Sequence, residues 1–227
     1  MGRVCHCRGM DARLRGYDGQ HKATRTIKSR FTKIVLTTST AILLAACATT
    51  APTSMSQAPV AAYRDVIDLA GRLSVNYQKD GKPETLSGKF NWSQKGERID
   101  VALASPLGQT LAKISVTPDA ATLTQTDQAP RVAKDIDSLT AQALGWSLPV
   151  SGLRDWLQGY ATAPGGKRFA ASPASNTVTT ADGWRLTFVS WQDDTAAQPV
   201  PKRIDAERAA TATTEPLAIR IVIDGQG

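Results

Sequence analysis

Residues 86–92 have the sequence Leu86-Ser87-Gly88-Lys89-Phe90-Asn91-Trp92, and this stretch decides the fold class. Apolar or small residues occupy every second position, and polar residues occupy the positions between them. A period of two places one set of side chains on one face of a β-strand and the other set on the opposite face. A strand of this kind is typical of an antiparallel sheet that packs one face on a core and exposes the other.

The same alternation recurs on both sides of this stretch. It is found in segments 73–77, 99–103, 112–116, 184–188, 204–206 and 217–223, with a weaker one at 122–124. Turn-forming sequences separate several of these segments, at 80–83, 95–96 and 182–183. Strands at such regular spacing, each with one apolar face, predict one antiparallel sheet.

Three segments have helical spacing instead. The first, 61–69, is predicted to open the folded body. The other two, 135–144 and 151–158, are followed by Gly145 and Gly159, and glycine suits the position after a helix C-terminus. A long sheet interrupted midway by two helices predicts a mainly β fold, in which a curled sheet wraps around its helices.

The N-terminal region has the features of a secretory leader. A cationic stretch at 22–33 precedes an apolar run at 34–46, which is too short to span a bilayer comfortably. The run ends in Leu44-Ala45-Ala46-Cys47, the cleavage signal of bacterial lipoproteins, in which the cysteine thiol receives the lipid. We therefore predict that Cys47 is the lipid-attachment residue and the first residue of the mature protein.

These features predict three regions. Residues 1–46 are a leader whose unusually long upstream part favours a later translation start, 47–61 form an acylated tether, and 62–227 form the folded domain. The tether is small, polar and broken by proline, and is expected to be flexible. Position 48 is alanine rather than aspartate, which favours the outer membrane of a Gram-negative bacterium as the location.

The net charge of +7 belongs to the leader. Residues 1–46 hold nine basic and two acidic residues, whereas residues 47–227 hold 18 of each sign and are neutral. A neutral body lacks the basic surface that phosphate backbones require, so nucleic-acid binding is not expected.

Cysteine and histidine are absent from the chain after Cys47. Without them, Ser-His-Asp and Cys-His catalysis and most zinc sites are excluded. The neighbouring carboxylates, such as Asp135 with Asp137 and Asp193 with Asp194, are best interpreted as solvated surface charge. The sequence therefore predicts neither an enzyme nor a metal or cofactor.

Several motifs, in order along the body, resemble those of the LolB family. They are Phe90-Asn91-Trp92, Ser105-Pro106-Leu107-Gly108, Gly145-Trp146-Ser147-Leu148-Pro149-Val150, Leu153-Arg154-Asp155-Trp156-Leu157-Gln158-Gly159, Gly183-Trp184-Arg185-Leu186, and Pro201 with Arg203-Ile204. The resemblance covers about residues 63–224 and is specific as a combination rather than in any single motif. An alanine-rich insert at 206–215 departs from it and is treated as a variable hairpin.

The resemblance implies a half-open antiparallel β-barrel whose helices form a lid over an apolar cavity. It also implies a function: to take lipoproteins, by their acyl chains, from the periplasmic carrier LolA and to insert them into the outer membrane. The expected protein is a lipid-anchored monomer on the periplasmic face of that membrane.

The cavity residues follow from the resemblance together with the apolar faces of the predicted elements. The expected wall is made of Phe90, Trp92, Leu103, Leu139, Leu153, Trp156, Trp184 and Leu186. For the three tryptophans, plain core packing is an equally good interpretation, because large aromatic residues serve both purposes.

The loop Pro106-Leu107-Gly108 is the expected membrane-insertion element. Proline and glycine predict a tight turn with Leu107 at its tip, and the family resemblance implies that this leucine assists insertion. The alternative is that Leu107 folds back onto the core.

Two other functions stay open at this point. One is a lipoprotein of the same open-barrel fold that binds another lipid or hydrophobic ligand, and the other is a structural lipoprotein of outer-membrane assembly without a cavity. Cargo preference, affinity and the docking face for the carrier do not follow from the sequence.

Overall fold

The alternating segments form one large antiparallel sheet in the computed structural model, which describes residues 54–144, 146, 148–212 and 214–225. Its strands are β1 (Val66–Lys79), β2 (Lys82–Lys95), β3 (Arg98–Ala104), β4 (Thr110–Val116), β5 (Ala121–Gln125), β6 (Arg131–Ala133), β9 (Thr177–Thr179), β10 (Trp184–Trp191), β11 (Pro201–Arg208) and β12 (Leu217–Ile223). The helices are α1 (Ile136–Leu144) and α2 (Val150–Trp156), and a small separate sheet pairs β7 (Tyr160–Thr162) with β8 (Arg168–Ala170).

The order of strands across the large sheet is β6-β5-β4-β3-β2-β1-β12-β11-β10-β9. Every neighbouring pair is antiparallel. Within the described residues no pairing joins the edge strands β6 and β9, so the sheet is not closed into a barrel. The prediction of a mainly β protein with a half-open antiparallel barrel is confirmed.

The strand directions give the sheet two rims. The first, which we call the anchor rim, contains the start of β1 at Val66, the β2–β3 turn, the β10–β11 loop and the end of β12 at Ile223. The second, which we call the tip rim, contains the β1–β2, β3–β4, β5–β6 and β11–β12 turns. The described chain enters the body at the anchor rim.

Residues 54–61, which the sequence assigns to the tether, lie against the body. The amide of Ser56 donates to the carbonyl of Asp194 at 2.9 Å, and the amide of Val60 donates to that of Ala171 at 2.8 Å. Val60 is buried and belongs to the core. The leader and Cys47 lie outside the described residues.

The inner face of the sheet is apolar because of the alternation in the sequence. Phe90 and Trp92 on β2 are buried, whereas Lys89 and Asn91 between them are exposed. Gly71 on β1 pairs with Phe90, and a Cβ atom at Gly71 would lie 2.2 Å from the Val222 carbonyl oxygen and 2.8 Å from the Phe90 ring. Glycine therefore lets strand and ring approach closely here.

The two helices cover the inner face of the sheet. Ile136 and Leu139 on α1, and Leu153 and Trp156 on α2, are buried in the same hydrophobic core as the inward residues of the strands. We call residues 136–156, without the undescribed 145 and 147, the helical lid. The core lies within one compact unit, Thr49–Gly227.

The predicted helix at 61–69 is wrong. Residues from Val66 onward belong to β1, in which Ile67 is buried and Asp68 is exposed. Full register pairing of β1 with β2, from Val66 with Lys95 to Lys79 with Lys82, outweighs a short run of helical spacing. The insert expected at 206–215 is also divided differently, because Ala206 lies within β11 and only 209–216 connect β11 to β12.

Four short strands, β6, β7, β8 and β9, were not predicted from the alternation. Each has only three residues, which is too few for a period of two to be recognised. Among the residues that the structure describes, no helix has the length and apolar character needed to cross a membrane.

Candidate functional site

An apolar cavity lies between the sheet and the helical lid. Its lining residues are all apolar: Leu73, Phe90, Trp92, Val101, Leu103, Leu148, Leu153, Leu157, Ile219 and Ile221. They come from the inward positions of four neighbouring strands and from the lid and its C-terminal end. The site can therefore hold an apolar group and offers it no charged partner.

The cavity volume is about 20 Å³, enough for about one water molecule. Pockets for drug-sized ligands have volumes of roughly 300–1,000 Å³. Among the described residues, no space of that size lies between the lid and the sheet, because side chains of the lid fill it. The conformation is closed.

Of the eight residues predicted for the wall, four line the cavity: Phe90, Trp92, Leu103 and Leu153. The other four, Leu139, Trp156, Trp184 and Leu186, are buried in the core beside it. The six remaining wall residues were not singled out from the sequence. Leu73, Val101, Ile219 and Ile221 could have been found, since they are the inward positions of predicted strands.

Two of the tryptophans pack against each other in the closed conformation. The rings of Trp156 and Trp184 meet edge to face, with centroids 5.6 Å apart. The guanidinium of Arg208 lies 4.8 Å from the centroid of the Trp184 ring. Trp92 differs, because it lines the cavity and its buried indole Nε1 has no hydrogen-bond partner among the described residues.

The lid helices are bonded to each other. Asp137 on α1 accepts hydrogen bonds from the amide of Ser151, at 3.3 Å, and from its hydroxyl group. Thr140 on α1 accepts from the amide of Leu148 at 3.1 Å and donates its hydroxyl to the Asp137 carbonyl at 2.9 Å. These bonds make the two helices one packed unit.

Burial raises the pKa of the Asp137 carboxyl above its ordinary value. The hydrogen bonds from Ser151 oppose this effect, and the nearby charge of Asp135 adds to it. The ionised carboxylate therefore costs free energy in the closed lid, even though Ser151 holds it.

One lid residue bonds the lid to the sheet at the anchor rim. The guanidinium of Arg154 donates to the Gly96 carbonyl at 3.0 Å and to the Tyr63 hydroxyl at 3.2 Å. The same hydroxyl accepts from the side-chain amide of the fully buried Gln94 at 2.9 Å. Sequence reasoning missed Arg154 because its partners come from segments far away in the chain.

A second pocket, of about 250 Å³, opens at the anchor rim. Val60, Ile67, Val200 and Ile223 contribute to its wall. Leu157 lines both this pocket and the apolar cavity.

The predicted insertion loop connects β3 to β4 at the tip rim. The amide of Gly108, with a φ of 91°, donates to the Ser105 carbonyl at 2.9 Å and closes a tight turn. Leu107 is 93% exposed at the tip of this turn. Leu107 thus projects into solvent, and the alternative that it folds back onto the core is wrong.

A larger, open groove of about 630 Å³ lies on the outer face of the sheet. Of the four charged residues that line it, Arg98 donates to Asp100 at 2.7 Å, and the same carboxylate accepts from Ser115 at 2.8 Å, whereas Asp68 and Lys113 form no ion pair among the described residues. We assign the site to the interior rather than to this groove, since the lid covers only the interior. No group of three or more metal-binding side chains occurs among the described residues.

Comparison with known proteins gives a consistent result. Residues 65–225 match the family model described as "Outer membrane lipoprotein LolB". The chain is similar to outer-membrane lipoprotein LolB of Cupriavidus necator, with 42% identity over 81% of this chain and 90% of that one. It is also similar to those of Ralstonia nicotianae (37%, 80% and 90%) and Chromobacterium violaceum (34%, 83% and 96%).

Among solved structures, a DUF1329 family protein from Desulfovibrio piger aligns with 70% of this chain and 84% of its own. The TM-score is 0.41 and the identity is 12%, which is too distant a likeness to support an argument.

Proposed function

The chain belongs to the LolB family of outer-membrane lipoproteins, and we propose that it receives lipoproteins from the periplasmic carrier LolA in its apolar interior. Receiving lipoproteins and inserting them into the outer membrane is the function of this family. We also propose that the carrier is LolA, that the protein is a monomer and that it catalyses no reaction.

The apolar interior under the helical lid is the observation that carries this function. Each methylene group of an acyl chain gains about 0.8 kcal/mol when it leaves water for such an interior. Transfer then needs no nucleotide, because cargo moves to whichever protein buries more of the chain. The ten apolar wall residues, without a charged group among them, suit this task.

An acyl chain enters only after the lid moves away from the sheet, since the closed cavity has a volume of about 20 Å³. The Asp137–Ser151 and Thr140–Leu148 bonds keep α1 and α2 together during this movement. The hydrogen bond from Arg154 to the Gly96 carbonyl must break, because it joins the lid to the sheet.

We place the entry of the acyl chain at the anchor rim. Leu157, at the C-terminal end of α2, lines both the pocket at this rim and the apolar cavity. A small displacement of α2 therefore joins the two spaces. In the proposed cycle, Cys47 carries the protein's own lipid, and Leu107 enters the bilayer during release.

Depletion of the protein in its own bacterium tests the function. We expect lipoproteins destined for the outer membrane to accumulate in the periplasm in complex with the carrier. Re-expression of the wild-type protein should clear the complex. Normal sorting in depleted cells would instead favour a lipoprotein that binds another hydrophobic ligand, and intact sorting with a defective envelope would favour a structural role.

A further inference from the structure

A second feature surrounds the exposed Leu107 at the tip rim. Lys89 on β2 is paired in register with Ala104, the last residue of β3 and three positions before Leu107. Lys113 on β4 is paired with Ala102 of the same strand. Both lysines are exposed on the outer face, between inward-facing buried neighbours. They flank the strand that leads into the loop.

Neither lysine has an acidic partner. Among the described residues, no ion pair involves Lys89 or Lys113. Asp100, the acidic residue on the outer face of β3, is bound by Arg98 at 2.7 Å. The two cations therefore contribute an uncompensated positive charge to this part of the surface.

The surroundings add to this charge rather than cancel it. Arg72 on β1 pairs directly with Lys89, and like charges that face each other across two strands are unfavourable. Asp224 lies 3.6 Å from Arg72 and offsets only that residue. The β1–β2 turn lies seven residues beyond Lys89 along β2 and has as many basic residues, Lys79 and Lys82, as acidic ones, Asp80 and Glu84.

Small side chains separate the lysines and keep the surface accessible. The outward positions of β3 beside them are Ala102 and Ala104. Neighbouring strands are about 4.8 Å apart and successive residues rise about 3.3 Å, so the two lysine backbones are roughly 12 Å apart. Leu111, which follows the loop, is 40% exposed and extends the apolar tip.

We propose that Lys89 and Lys113, together with Leu107, form a docking surface for a bilayer that carries anionic phospholipid headgroups. We name this surface the tip patch. An apolar tip beside unpaired cations fits such a bilayer. The leucine at the tip can reach the acyl chains while the lysines behind it contact the phosphates of the headgroups. The proposal rests on the proposed insertion role of Leu107 and adds the membrane chemistry that it selects.

Vesicle flotation with the unacylated body from residue 48 onward tests the tip patch, because this segment contains the whole core. Wild-type protein should bind mixed phosphatidylcholine–phosphatidylglycerol vesicles more strongly than pure phosphatidylcholine vesicles. The variant Lys89→Gln/Lys113→Gln should lose about 25-fold of its partition to anionic vesicles, about fivefold per lysine. Its binding to neutral vesicles and its thermal unfolding should be unchanged.

A matched control removes the same charge from the anchor rim. Lys95→Gln/Lys202→Gln changes two exposed lysines, the last residue of β2 and the second residue of β11. This variant should keep its binding within about twofold. Raising the salt from about 0.1 M to about 1 M, which shortens the Debye length from about 10 Å to about 3 Å, should remove the preference of the wild type for anionic vesicles.

Three results would overturn the proposal. The first is an equal loss of binding to anionic vesicles in the two double variants, and the second is the absence of any preference of the wild type for anionic vesicles. The third is normal vesicle binding by the tip-patch variant together with failed uptake of cargo from the carrier. The last result would identify the lysines as a carrier-docking site. Uptake of cargo is measured in a separate assay. The vesicle flotation contains no cargo, so its outcome is independent of whether depleted cells sort lipoproteins.

Discussion

At the scale of single residues, Leu107 is the clearest link between sequence and function. Its turn is closed by the Gly108 amide, and its side chain forgoes roughly 1.5–3 kcal/mol of possible burial. In the proposed function, a bilayer is the environment in which that burial is recovered.

We predict that Leu107→Glu leaves the protein folded and able to take cargo from the carrier, yet unable to deposit it in liposomes. A carboxylate at the tip is costly to bring into a bilayer, whereas the interior is untouched. The measurement is cargo partition among carrier, acceptor and liposomes. Val189→Glu, which changes an exposed apolar residue of β10 that lines neither the cavity nor the anchor-rim pocket, serves as the control. Normal deposition by Leu107→Glu would refute the insertion role.

At the scale of elements, the lid is a unit of two helices held by a few polar bonds over an apolar surface. Apolar contacts with the sheet keep the lid closed, and the hydrogen bonds set its position relative to the sheet. Opening of the lid exposes the ten wall residues to an entering acyl chain or to water. The closed conformation keeps these residues from water. The polar bonds are therefore the place where opening can be changed without damage to the wall.

Arg154→Gln should speed the uptake of a fluorescent fatty acid by the unacylated body. The substitution removes the bonds to Gly96 and Tyr63, and hydrogen bonds to charged groups contribute about 1.5–3 kcal/mol. Stopped-flow fluorescence measures the rate. Arg154→Lys should restore part of the slow uptake, and the exposed Arg185→Gln should behave as wild type. Unchanged or slower uptake by Arg154→Gln would show that the bond does not limit opening.

The raised pKa of Asp137 predicts a pH dependence of stability. Between its ordinary pKa and its raised value in the folded protein, the folded state binds more protons than the unfolded state. The contribution of Asp137 to the free energy of unfolding therefore falls as the pH rises through this window. Asp137→Asn should gain stability relative to the wild type between pH 4 and pH 7, as measured by urea unfolding at both values. If the stability difference between Asp137→Asn and the wild type is the same at pH 4 and pH 7, or favours the variant more at pH 4, the raised pKa of Asp137 is contradicted.

At the scale of the whole molecule, the two proposed membrane contacts leave from opposite rims. The chain enters at the anchor rim, where Ser56 bonds to Asp194, and Leu107 projects from the tip rim. The seven residues of β3 alone span about 20 Å between the rims. From Cys47 to Ser54 the chain can reach at most about 24 Å. Most of this reach is needed for Leu107 to meet the membrane that holds the lipid.

We therefore predict that deletion of residues 48–53 stops the anchored protein from depositing cargo, although it still accepts cargo from the carrier. The same deletion in the unacylated body should have no effect, because nothing then restrains the tip rim. Replacement of 48–53 by six glycine and serine residues should restore deposition, since only length matters. Full activity of the anchored deletion variant would mean that the domain meets the membrane in another orientation. Complementation of depleted cells provides the measurement.

The sheet, the two lid helices and the Leu107 turn could be predicted from local sequence patterns. A period of two places Phe90 and Trp92 inward whatever their neighbours are, and Pro106 with Gly108 makes a turn from purely local preferences. The lack of cysteine and histidine after Cys47 also needed no structure. These features depend on residues that are close together in the chain, so their physics is local.

Which inward residues enclose the cavity, and how far the cavity is open, depends on long-range packing. Trp156 and Trp184 pack on each other, and Arg154 reaches Gly96, through contacts between segments far apart in sequence. The start of β1 at Val66 was likewise set by pairing with Lys95, which overrode the local helical spacing. Cavity volume is the small space that remains after all such contacts form, and no local pattern encodes it.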